Sequence, residues 1–182
     1  HAESVGGRTI LIGDPDQRYR EDPVRMLRAA RLAAKLDFSL AEETEAPIAE
    51  LAGLLSDVAP ARLFDESLKL FLAGHGLESL RRLHHLGLLG EIFPATAKAL
   101  AGPNSTSFGQ LLGHTFTSTD ERIRSDKPVT PAFLFAAMLW EPVRSLAARL
   151  IEEGSDAAVA WPLAVDRVMH QQAARVAIPK RF

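Results

Sequence analysis

Cysteine is missing from all 182 residues. That excludes a disulfide framework and a thiolate metal site, and it suits a reducing compartment, so a cytoplasmic location is expected. Long apolar runs are missing too. None reaches the roughly 18 residues of a membrane span, and no secretory signal is visible, so no membrane partner is expected. The familiar signatures of nucleophilic, zinc and phosphate chemistry are also lacking. There is no G-x-S-x-G elbow, no H-E-x-x-H, no G-x-x-x-x-G-K-[ST] and no G-x-G-x-x-G. The six histidines (His1, His75, His84, His85, His114, His170) form no ligand spacing. The adjacent pair His84 and His85 would point about 100° apart on a helix. No metal site and no catalytic residue are therefore assigned within the chain.

A strong net charge is lacking as well. The formal charge is −2, so the chain as a whole has no general attraction for nucleic acid. The charge is local instead. Between residues 8 and 35 stand seven basic residues (Arg8, Arg18, Arg20, Arg25, Arg28, Arg31, Lys35) against four acids (Asp14, Asp16, Glu21, Asp22).

With 47% hydrophobic and 24% charged residues the chain has the material of a packed globular protein. One β-branched stretch, "GRTILIGD" (residues 7–14), reads as a strand, and "GDPDQRY" after it reads as a turn. From there the apolar spacing is helical almost to the end, so an all-α multi-helix bundle is expected, with at most one residual N-terminal strand. The first helix starts at Glu21 or Asp22 with Pro23 in its first turn. Met26, Leu27, Ala29, Ala30, Ala33, Ala34 and Leu36 form its apolar face. Arg25, Arg28, Arg31 and Lys35 occupy the other face.

Ser39 is expected to cap a second helix reaching about residue 55 and broken near Pro47. Helices ended by Gly74 and Gly87 follow, then short pieces around Pro94. The loop "AGPNSTS" (residues 101–107) divides two helical lobes. The second lobe is read as helices over residues 108–124, 131–140, 142–153 and 156–176.

Two charged clusters invite a chemical reading. In "ARLFDESLKL", Glu66 follows Arg62 by four residues and precedes Lys69 by three, so intrahelical ion pairs account for it. In "EDPVR", Asp22 and Arg25 are three apart and share a face at a helix start. A carboxylate only accepts hydrogen bonds and a guanidinium only donates them. Side by side they present an acceptor next to a donor. The Watson–Crick edges of adenine and cytosine offer the complementary order, an amino donor beside a ring acceptor. Guanine and uracil offer the reverse and would set an oxygen against Asp22. An acid at a helix start paired with a nearby arginine is also an ordinary surface feature.

The block "IGDPDQRYREDPVRMLRAARLAAKLDFSL", followed by "ARLFDESLKL", resembles the class II nucleotidyltransferases, which comprise bacterial poly(A) polymerases and CCA-adding tRNA nucleotidyltransferases. The ED-x-x-R motif of that family stands here as Glu21, Asp22 and Arg25. "TPAFLFAAMLWEP" and the closing "AIPKRF" resemble the poly(A) polymerase branch.

The resemblance implies a catalytic head that binds Mg²⁺, a neck that reads the base of ATP, and a helical body that holds RNA. Asp22 and Arg25, with Glu21 and Arg28, would serve the nucleotide; Arg18, Arg31 and Lys35 would face RNA or brace the neck. Residues 1–20 would be an extended remnant, disordered or paired with another chain. Residues 21–101 would be the neck and 102–182 part of the body. "DPD" at Asp14–Asp16 lies outside the motif context of the head and receives no metal role. The chain starts at His1, and a segment of a longer polynucleotide adenylyltransferase, inactive alone, is the expectation. The partners would be ATP, an RNA 3′ end and the head itself. The alternatives are the matching region of a CCA-adding enzyme and a non-catalytic helical RNA-binding or scaffold module.

Overall fold

The structure, a computed structural model, describes residues 2–5 and 7–178. The last residues of the "AIPKRF" resemblance, 179–182, lie outside the described residues. The architecture is mostly helical, as expected, with a small sheet at its N-terminal end.

That sheet corrects the reading of a lone strand. β1 (Ala2–Val5) and β2 (Arg8–Leu11) are antiparallel, with Ala2 opposite Leu11 and Val5 opposite Arg8. β3 (Ser39–Leu40) joins β2 in parallel, Arg8 opposite Ser39 and Thr9 opposite Leu40. β2 is thus flanked on both sides by strands of its own chain, not left as an edge for another molecule. Ser39, expected as a helix cap, is a strand residue instead.

The stretch read as a turn is helix α1 (Pro15–Glu21). Asp-Pro is a turn signal, but it is also a helix start. Here the Asp14 side chain accepts from the backbone N–H of Asp16 at 3.3 Å, and Pro15 takes the first helical position. Tyr19, fully buried, anchors the helix by donating from its hydroxyl to the Thr44 carbonyl at 2.8 Å. Thr44 in turn accepts from the Leu11 backbone N–H at 3.1 Å, tying α1 to β2. Burial pushes the Tyr19 phenol well above its usual range. Residues 15–20 are therefore packed helix, not extended remnant.

Pro23 explains where α1 stops. The ring of a proline disfavours the α region for the residue before it, and Asp22 is extended at φ −150° and ψ 92°. The chain turns at this elbow into α2 (Val24–Leu36), which starts just after Pro23. Val24, Met26, Leu27, Ala29, Ala30, Ala33 and Ala34 are buried along α2, while Leu36 stays exposed.

Around α2 pack α3 (Glu42–Glu45), α4 (Ile48–Leu51), a 3-10 segment (Ala52–Asp57), α5 (Pro60–Phe71), α6 (Gly76–His85), α7 (Leu88–Ile92) and α8 (Pro94–Leu100). Pro47 separates α3 from α4, as expected. Three longer helices follow: α9 (Ser105–Arg124), α10 (Pro131–Glu152) and α11 (Ala157–Ala173). Two helices were expected over residues 131–153, but α10 continues through Pro142. The main core joins Leu27, Phe71 and Leu83 to Phe108, Phe116 and Met138. A smaller cluster begins at Leu139 and lies between α10 and α11. Among the described residues no helix is long and apolar enough to cross a membrane.

Candidate functional site

The elbow between α1 and α2 places Asp22 beside the basic face of α2 and the start of α5. Its Oδ2 accepts from Arg62 Nη2 at 2.9 Å. Arg28 Nη1 lies 3.8 Å and Arg25 Nε 4.0 Å from the same oxygen. Among the described residues, Oδ1 of Asp22 and Nε of Arg25 are buried without a hydrogen-bond partner. The three-residue spacing thus does bring Asp22 and Arg25 together, at ion-pair distance but short of a hydrogen bond.

Glu66 forms a second centre one turn further along α5. It is 2% exposed. Lys69 Nζ donates to its Oε1 at 3.0 Å, and Arg28 Nε donates to the same oxygen at 3.4 Å. Arg31 Nε lies 3.9 Å from Oε2. Arg28 therefore bridges Asp22 and Glu66. The intrahelical pair expected between Arg62 and Glu66 is not what forms: Arg62 reaches back to Asp22, forty positions earlier in the chain.

The remaining motif residues are placed less centrally. Glu21 is exposed and accepts from Arg18 at 3.2 Å. Lys35 is exposed near the C-terminal end of α2. Burial lowers the pKa of His75, opposed by the charge of Asp120 and aided by those of Lys35 and Arg31. Arg18, Arg25, Arg28 and Arg31 line a cleft of about 540 Å³ together with Leu11 and Leu32. Four guanidiniums on one cleft suit an anionic ligand such as a polyphosphate or a nucleic-acid backbone.

Whether the chain's own carboxylates fit a divalent ion can be judged from "DPD". Asp14 caps α1, and Asp16 holds Arg20 at 2.7 Å. Both are committed to the helix they start. They do not fit a Mg²⁺ site, and no step is assigned to a metal here.

Comparison with known proteins places the chain beside polymerases and tRNA nucleotidyltransferases. A family described as "Probable RNA and SrmB- binding site of polymerase A" matches residues 37–100. Poly(A) polymerase I of Salmonella typhi is 44% identical over 173 residues, covering 94% of this chain and 37% of that protein. The Haemophilus influenzae protein of the same name is 44% identical over 176 residues, 96% of this chain and 39% of its own length. A CC-adding tRNA nucleotidyltransferase of Halalkalibacterium halodurans is 40% identical over 92 residues, 47% of this chain. The relatives are thus the nucleotide-adding enzymes that the ED-x-x-R block suggested. Over nearly its whole length the chain matches a segment of bacterial poly(A) polymerase I, and it spans less than two-fifths of those relatives.

Arg62 and Glu66 are the two residues of this cluster that the sequence reading did not connect to Asp22 and Arg28. The signal was present, since "ARLFDESLKL" belonged to the same resemblance as "EDPVR". Only the packing of α5 against α2 shows that the two stretches share charges.

Proposed function

We propose that this chain is the nucleotide-reading neck and part of the RNA-holding body of a polymerase that adds AMP from ATP to RNA 3′ ends without a template. The observation that carries the reading is the Asp22 carboxylate set 4.0 Å from the guanidinium of Arg25, one of the four arginines that line the cleft. The match to poly(A) polymerase I over 94% of the chain supports it.

In this reading Asp22 accepts from the amino group of adenine and Arg25 donates to its ring nitrogen. Arg28 and Glu21 flank that site, and Arg18, Arg31 and Lys35 meet phosphates of the nucleotide or RNA. Residues 21–101 make up the neck and residues 102–182 belong to the body. The description of the matched family attaches RNA binding to residues 37–100, so the neck contributes to RNA contact as well. The two-metal phosphoryl transfer expected of such polymerases would be carried out by a catalytic head outside the matched segment.

The test uses the longer protein that carries this chain together with its head. With ATP, Mg²⁺ and an RNA primer it should extend the primer, and the 182-residue chain alone should not. Asp22→Ala and Arg25→Ala should reduce selection of ATP far more than RNA binding. Unchanged nucleotide preference in both variants removes the role given to the pair.

A CCA-adding activity is the second reading, favoured by the 40% identity to a CC-adding enzyme over about half the chain. Incorporation from CTP onto a tRNA lacking its terminal CCA separates the two.

A further inference from the structure

The Asp22–Arg25 pair faces a difficulty that its own sequence neighbours do not solve. An acid and a base this close tend to close onto each other. A closed pair has spent the acceptor and the donor that a base would need. Asp22 is also on an extended elbow and not on a helix, so the backbone alone does not fix its carboxylate.

Arg62 supplies the missing restraint. It is 46% exposed along its side chain, arrives from α5, and donates to Asp22 Oδ2 at 2.9 Å. The other two guanidiniums stand off at 3.8 and 4.0 Å from that oxygen. One carboxylate oxygen is therefore committed to Arg62, and Oδ1 has no partner among the described residues. Arg25 Nε likewise makes no hydrogen bond there. The pair is held open, with Asp22 Oδ1 and Arg25 Nε both buried and unspent.

We propose that Arg62 is a specificity-determining positioning residue: by occupying Asp22 Oδ2 it keeps Asp22 and Arg25 from closing on each other, so that neither is spent on the other before a nucleobase edge docks. This rests on the reading of Asp22 and Arg25 as the base-recognition pair. Arg62 touches neither the base nor the reacting atoms. It sets which hydrogen-bonding groups the pair presents. A lysine at this position keeps the charge but loses the planar fork, so it restores the function only in part.

Two measurements test it. In a crystal structure of the Arg62→Ala form of this chain, Arg25 should move from 4.0 Å to hydrogen-bonding distance of Asp22. A pair that stays apart overturns the proposal. In the longer active protein, Arg62→Ala should raise the KM for ATP and cut the ATP-over-GTP preference by on the order of tenfold, with a smaller change in kcat. Arg62→Lys should recover part of that preference. Thermal midpoints of the variants should match the parent's, since the side chain is half in solvent.

Asp22→Ala, assayed in parallel, separates the two possible failures. If Asp22→Ala abolishes base preference and Arg62→Ala leaves it intact, Arg62 has no such role and the base-recognition pair stands. If Asp22→Ala itself is without effect, the pair does not read the base, and the role of Arg62 falls with it.

Discussion

The Thr96 hydroxyl donates to the carbonyl oxygen of Met138 at 2.9 Å, and that carbonyl is the acceptor that Pro142, four residues on, has no N–H to serve. This one contact explains how α10 passes through a proline without breaking. It also fastens α8 to α10 where the two apolar clusters adjoin, Met138 in one and Leu139 in the other.

Thr96→Val should therefore destabilise the fold more than its size suggests. Thr96 is fully buried, so the valine fits the space but leaves the Met138 carbonyl unpaired, at a cost of about 1–3 kcal/mol. Urea denaturation measures it. A change within a few tenths of a kcal/mol would show that water or a neighbouring donor serves that carbonyl.

Glu66 makes a different kind of prediction. Its carboxylate is buried, but its partners Arg28 and Lys69 are about half exposed and return to water when it is lost. Glu66→Gln should cost about 1–2 kcal/mol, less than the breaking of a fully buried pair. In the active protein it should also weaken nucleotide or RNA binding, because Arg28 and Arg31 lose the anchor that spaces them along the cleft. Salt-dependent RNA binding identical to the parent's would mean that those arginines keep their places without Glu66.

Glu141 gives stability a pH dependence. It is 6% exposed. Arg144 donates to it twice at 2.7 Å, and Ser145 and Asn104 each donate once at 2.9 Å. The Arg144 bonds hold its pKa below the usual 4.5, against the opposing effect of burial. The unfolded chain takes up this proton first as pH falls. The stabilisation is thus fully present above pH 4.5 and is lost as pH drops below that value through the folded pKa. Glu141→Gln should lower stability at neutral pH and flatten the acid side of the profile. Parallel profiles of denaturation midpoint against pH would remove this role.

How far the sequence could be read depended on whether a signal was local. Pro60, Gly74, Gly87 and Pro94 mark helix ends by their own backbone limits, and α5 to α8 follow them. The buried face of α2 follows from spacing alone, down to Ala33 and Ala34. The signals that misled were ambiguous ones. Asp14-Pro15 spells a turn or a helix start, and the deciding contact, Tyr19 with Thr44, spans 25 positions. Pro142 spells a break unless a distant hydroxyl serves Met138. In the site, Asp22 and Arg25 were legible as an i, i+3 pair. The bond of Arg62 to Asp22 was not, because Glu66 stands four residues away as an equally good partner. Which acid Arg62 takes is decided by how α5 lies on α2.

The start of α6 offers the sharpest test of packing. Asp120, buried on α9, accepts from the backbone N–H groups of Gly76 at 2.7 Å and Leu77 at 3.0 Å. A carboxylate at a helix N-terminus meets both the unpaired N–H groups and the positive end of the dipole. The glycine is required by space: a Cβ on Gly76 would stand 2.6 Å from the Phe71 carbonyl oxygen and 3.0 Å from the Phe116 ring. Neither neighbour yields readily, since one is backbone and the other is fully buried. Gly76→Ala should thus cost about 1–3 kcal/mol, the range of overpacked cores. Asp120→Asn keeps one acceptor and should cost less than Asp120→Ala, which strips both N–H groups at about 1–3 kcal/mol. Thermal midpoints of the three variants should rank Asp120→Asn above Asp120→Ala, with Gly76→Ala also well below the parent. A Gly76→Ala protein as stable as the parent would mean that α6 shifts away from Phe71 at little cost.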